Sequence, residues 1–180
     1  MKRGNGRFWG IAVLSLLAAA VMRCGEKENP TAPSGFDLDK NPIPRFVRVN
    51  FIDVGRMARI SRFRSAAGAD YSDDVEHCRS MLHYFEPRGD LDGQSLDMFS
   101  PVDGTIAGIV TNQPELEMII QAQEYPDFKF HLFNLSPIES LRAGNAVRAG
   151  ERIGRYVERQ TPAALAVSVH TTRGRRLLSW

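Results

Sequence analysis

The sequence predicts a mainly β fold, an antiparallel β-sandwich or barrel, with one short helix near its start. Three observations carry that prediction. Short apolar runs recur in the second half of the chain, at "LEMIIQAQ", "FKFHLFNL", "ALAVSVHTT" and "RRLLSW", and their period-two alternation is what a half-buried strand requires. Turn signals separate them, notably Asp103-Gly104 and the glycines at 144, 150 and 154. One earlier stretch, "YSDDVEHCRSMLHYF", has a helical period instead.

The chain of 180 residues opens on an export signal. "MKRGNGR" is a basic head, and "FWGIAVLSLLAAAVM" is an apolar run of fifteen residues. That is short for a bilayer span, which needs about 20 apolar residues. A cysteine, Cys24, follows directly, and then a polar stretch. This order resembles a bacterial lipoprotein, in which Cys24 would become the lipid-bearing first residue, although Arg23 stands where that processing site favours a small residue. Ordinary cleavage after the alanines at 18–20 is the alternative. Residues 1–23 are therefore read as signal peptide, and the protein as exported, to the periplasm or the cell surface and anchored to a membrane through Cys24.

Removal of the signal reverses the charge balance. The whole chain has 23 basic and 21 acidic residues, but Lys2, Arg3, Arg7 and Arg23 lie in the signal with no acid among them. The mature chain has 19 against 21, so nothing in its charge points to nucleic acid. Its cysteines are Cys24 and Cys78. With lipid on Cys24, Cys78 has no partner; without it, a bridge to a flexible tail is conceivable.

Residues 24–44, "CGEKENPTAPSGFDLDKNPIP", have little to bury and read as a flexible tether. The folded domain is expected over residues 45–180. "FVRVNFIDV" alternates and is predicted to be its first strand. In the helix, Val75, Cys78, Leu82 and Phe85 share one face, while Ser72, Asp73 and Asp74 suit its N-terminus. "MFSPVDGTIAGIV" then reads as two short strands joined through Asp103-Gly104. "LRAGNAVRAGERIG" fits neither the Walker nor the dinucleotide glycine pattern. It suits a tight hairpin with glycine at positive-φ corners and Val147 and Ile153 pointing inward.

The style of this hairpin together with "SPVDGTI" resembles the half-barrel hybrid motif of biotinyl/lipoyl carriers, of the glucose-type phosphotransferase domain and of lysostaphin-like peptidases. A carrier needs a lysine at its hairpin tip, and none stands near either turn. The order of "FRSAAGADYSDD", "SPVDGTI", "FHLFNL", "GNAVRAGERIG" and "AVSVHTT" resembles the blocks of lysostaphin/LytM-type zinc endopeptidases over residues 63–180. The resemblance implies one zinc, held by a His-x-x-x-Asp motif and by the last histidine of a His-x-His motif. It also implies two further histidines that assist the metal-bound water.

Carried over residue by residue, the site is broken. "ADYSD" stands for His-x-x-x-Asp, with Ala69 in the first ligand position and Asp73 in the second. "SVH" keeps the ligand His170 but puts Ser168 in the place of a catalytic histidine, while His131 matches the other catalytic position. A methyl group offers no lone pair, so Asp73 and His170 alone are too few for a tight zinc site. Asp70, Tyr71 or Asp74 would have to substitute. No cofactor is expected on this reading, and zinc if the domain is active.

Each residue also has a plainer role available. Asp73 serves equally as an acid at a helix N-terminus, His131 as a structural histidine, and His170 as the last buried or first exposed residue of a strand. His77 and His83 fall on different helix faces, so they and Cys78 make a poor ligand cluster. The "RGRR" at 173–176 suits a solvated turn.

Three functions stay open. The first is a peptidase-like domain without catalysis, a binding or regulatory module for a peptidoglycan peptide or an envelope protein. The second is an active zinc endopeptidase cleaving cell-wall peptides with Asp73, His170 and an atypical third ligand. The third is a phosphocarrier using His131, which export disfavours.

Overall fold

Period-two stretches become strands wherever a neighbouring stretch completes their hydrogen bonds. A computed structural model describes residues 35–62, 82–90, 96–111, 116–157 and 163–179. The chain divides into two compact units, residues 1–32 and 33–180, and every described residue lies in the second. The signal peptide, Cys24, Ala69, Asp73, His77 and Cys78 fall outside the described residues.

The described residues are mainly antiparallel β, in a half-barrel-like arrangement of two sheets. A single 3₁₀ turn, Val54–Arg56, leads into β1, Met57–Ile60. There follow β2 (His83–Pro87), β3 (Asp97–Phe99), β4 (Gly104–Val110), β5 (Glu117–Ala122), β6 (Phe128–Phe133), β7 (Leu135–Pro137), β8 (Ala146–Val147), β9 (Arg152–Tyr156), β10 (Ala163–Thr171) and β11 (Gly174–Leu178). The larger sheet has the order β1-β2-β10-β6-β5-β4-β8, with β11 also on β10. The smaller has the order β3-β9-β7.

The core lies against one face of the larger sheet. Met118, Ile120, Phe128, Phe130, Leu132, Leu165 and Val169 are at most 1 % exposed. Phe51 meets Phe85 edge to face, with ring centroids 4.6 Å apart. Phe46 sits 5.2 Å from Phe128 and 5.9 Å from Phe130. The alternation of "FKFHLF" delivers this directly, with Phe128, Phe130 and Leu132 buried and Lys129, His131 and Phe133 half-buried on the other face. That second face has its own small apolar cluster, formed by Leu82, Tyr84, Ala164, Ala166 and Leu177.

Several expectations are corrected. "FVRVNFIDV" forms no ladder. Phe51 and Ile52 are both buried although they are adjacent, which no regular strand on a single core allows. A bridge from Ile52 to Met98 and single bonds from Arg48 N–H to the Pro101 carbonyl and from Phe99 N–H to the Phe51 carbonyl hold the segment instead. The helical spacing of Leu82 and Phe85 does not produce helix at 83–87, which is β2 between β1 and β10. Pairing with residues far away in sequence overrides the local period. Asp103-Gly104 does not close a hairpin either: β3 pairs with β9, and β4 with β5 and β8. Likewise β8 and β9 lie in different sheets, although Val147 and Ile153 are buried and Gly144 and Gly150 have φ of 91° and 80°.

The stretch read as one strand at "FKFHLFNL" breaks at Asn134, whose φ of 56° turns the chain from the larger sheet to the smaller. Within the stretch read as a tether, Phe36 packs 5.0 Å from Phe128, and its N–H donates to the His170 carbonyl.

Candidate functional site

The outer face of the larger sheet brings Glu117, His131 and Ser168 together from three adjacent strands. β5 pairs with β6 so that Ile119 opposes His131, and β6 pairs with β10 so that Ala166 opposes His131. Glu117 and Ser168 are each two residues beyond those partners and point to the same face.

The three side chains form one hydrogen-bonded chain. His131 Nδ1 lies 2.6 Å from Glu117 Oε1, and His131 Nε2 lies 2.9 Å from Ser168 Oγ. An ionised carboxylate only accepts, so Nδ1–H donates to Glu117. With the ring neutral, Nε2 accepts from the Ser168 hydroxyl; with the ring protonated, Nε2 donates to it. Both ring nitrogens are engaged in either state. The side chains of His131 and Glu117 are only 12 % and 15 % exposed, so little water competes for these bonds. Ser168 is 3 % exposed, within a run of seven buried residues over 163–169.

The sequence-derived site residues are thus distributed unevenly. His131 and Ser168 touch. His170 is exposed at the end of β10, with its backbone N–H on the Asp127 carbonyl at 2.8 Å. Among the described residues no three His, Cys, Asp or Glu side chains come close enough to hold a metal ion, and His131 has no free nitrogen to activate a water. Positions 69 and 73, where the family resemblance puts two of the zinc ligands, lie outside the described residues. His83 faces elsewhere: its Nδ1 is 3.1 Å from the Ser61 carbonyl oxygen. In the 173–176 turn, Arg173 pairs with Asp39 at 2.9 Å and Arg176 donates to the Arg173 carbonyl.

Glu117 is the residue that sequence reasoning passed over. Its signal was available in part, because Glu117 and His131 hold the polar phase of two neighbouring alternating runs. What was missing was the register, which the 123–127 connection sets. Gln121 of β5 ties to that connection, its Nε2 donating to the Pro126 carbonyl at 2.7 Å.

Neither a protein-family model nor a curated protein matches the sequence. Among solved structures, the chain is similar to Csd3 of Helicobacter pylori, with 17 % identity over 69 % of this chain and 32 % of that one, at a TM-score of 0.48. It is similar to lysostaphin, with 13 % identity over 62 % of this chain and 44 % of that one, at a TM-score of 0.41. It is also similar to a protein of Ruminococcus gnavus named as a glycyl-glycine endopeptidase, lytM. That similarity has 17 % identity over 67 % of this chain and 50 % of that one, at a TM-score of 0.44. The chain therefore spans between a third and a half of the length of the solved proteins it resembles.

Proposed function

We propose that this chain is an exported, lipid-anchored, peptidase-like domain that has lost zinc catalysis and acts as a binding or regulatory module in the cell envelope. Its partner on this reading is a peptidoglycan peptide or an envelope protein. The observation that carries the reading is the pair of bonds on His131. The side chain that the family resemblance casts as a catalytic group is tied at one nitrogen to Glu117 and at the other to Ser168. Ala69 adds to this, since it puts a methyl group where the resemblance expects a zinc ligand.

Metal content is the test. Protein purified without added zinc is expected to carry well below one equivalent, measured by elemental mass spectrometry. The combined variant Ala69→His and Ser168→His is expected to gain zinc, because it restores the motif's donors. Stoichiometric zinc in the unaltered protein overturns the reading in favour of a zinc endopeptidase that uses Asp73, His170 and an atypical third ligand.

Anchoring has its own test. Cys24→Ser is expected to move the protein from the membrane fraction to the soluble fraction, because a lipid chain contributes roughly 0.8 kcal/mol of membrane affinity per buried CH₂. An unchanged distribution removes the anchor from the proposal.

A further inference from the structure

We propose that the cavity between residues 43–47 and the end of β11 binds a single hydrocarbon chain with a carboxylate head. The inference goes beyond the peptidase-like reading and does not depend on it.

The sequence prepares the cavity. In "NPIPRFVRVN" prolines flank Ile43, which biases that residue to an extended backbone and removes an N–H on either side of it. Segment 43–47 passes the end of β11 without zipping onto it: no backbone hydrogen bond joins the two among the described residues. The gap left between them is a cavity of about 530 Å³, within the range of about 300–1,000 Å³ typical of small-molecule sites. Phe46 and Val167, 8 % and 7 % exposed, close its floor onto the core.

The walls above that floor are apolar and in contact with water. Among the described residues the exposed large hydrophobics are Ile43, Val47, Val49, Val54 and Ile60. All fall within 43–60, and Ile43 and Val47, 54 % and 42 % exposed, line the cavity. Leu178, half-buried, lines it from β11. Covering such side chains with hydrocarbon is favourable by about 25 cal/mol per Å² removed from water.

Charge decides the head group. The lining includes one cation, Arg45, and no acid. Arg45 and Asn50 are exposed, and neither side chain has a hydrogen bond or ion pair among the described residues. Arg48, by contrast, is matched by Asp103 at 3.3 Å. An unmatched guanidinium fork holds a carboxylate through two parallel N–H···O bonds, and the Asn50 amide adds a donor to the same cavity. A peptide would bring amides that the aliphatic walls leave unpaired; a hydrocarbon chain brings none.

The probes are dodecanoate and dodecanol, titrated by calorimetry into the full chain carrying Cys24→Ser, which keeps any lipid of its own, and the detergent that lipid would require, out of the measurement. Dodecanoate is expected to bind about tenfold more tightly than dodecanol, as charge-assisted hydrogen bonds to Arg45 allow. Arg45→Ala is expected to remove that difference and leave dodecanol binding unchanged. Val47→Asp, at an exposed position, is expected to abolish binding of both. Equal binding of the two probes, or a preference that survives Arg45→Ala, overturns the carboxylate assignment. No binding of either probe, or binding that Val47→Asp leaves intact, overturns the cavity as the site. Vesicles of phosphatidylglycerol are the third arm. Binding to them that Val47→Asp weakens, with no binding of free dodecanoate, makes the segment a membrane contact and overturns the proposal. None of these outcomes bears on the zinc content, so the peptidase-like reading stands or falls separately.

Discussion

Alanine at position 154 is expected to lower the stability of the domain by about 3 kcal/mol, the upper range for overpacking a well-filled site. Gly154 sits in β9, the middle strand of the smaller sheet, registered with Met98 on one side and Pro137 on the other. A Cβ there would lie 2.3 Å from the Ser136 carbonyl oxygen and 3.0 Å from the Ser136 carbonyl carbon. Both are backbone atoms, so no side-chain rotation relieves the clash. Urea denaturation measures the effect, which at a slope of about 2 kcal/mol per molar is a midpoint shift of about 1.5 M. Gly108→Ala is the control. Its Cβ would meet only Ile119 Cδ1, at an ordinary 3.8 Å, and the reduced freedom of the unfolded chain makes it neutral or stabilising by up to about 1 kcal/mol. Equal effects at the two positions would refute the close-approach explanation.

The second large effect is expected at His131. His131→Ala leaves the Glu117 carboxylate and the Ser168 hydroxyl without their partner in a part-buried setting, which costs about 2–3 kcal/mol. The penalty arises from orphaned groups more than from the lost bonds. The triple variant Glu117→Leu, His131→Leu and Ser168→Ala is therefore expected to lie within about 1 kcal/mol of the unaltered protein, because it removes every member together. A single His131→Ala variant as stable as the parent would show that water already serves these groups, and the chain of bonds would then explain nothing about the site.

Legibility from sequence followed the range of the forces involved. β5 and β6 were readable because each alternates against a single core, as in the buried Phe128, Phe130 and Leu132, while β10, buried on both faces over 163–169, was readable from its apolar run. β2 was not, because Leu82 and Phe85 fit a helical face equally well. The choice was made by β10, about eighty residues later in the chain. Gly144 and Gly150 were correctly seen as positive-φ corners, whereas Gly154 lies inside β9, and a corner does not reveal whether the chain doubles back or changes sheet. At the site, the identities of His131, Ser168 and His170 were visible while their meeting was not. Glu117 joined them only once the β5–β6 register was known.

β10 has one further consequence. Its nine residues border β6 on one side and both β2 and β11, end to end, on the other. Of the described strands, all but β11 precede it in the chain. The larger sheet cannot zip shut until that ribbon arrives, so partners made much earlier wait with open edges. Such non-local closure makes for slow folding.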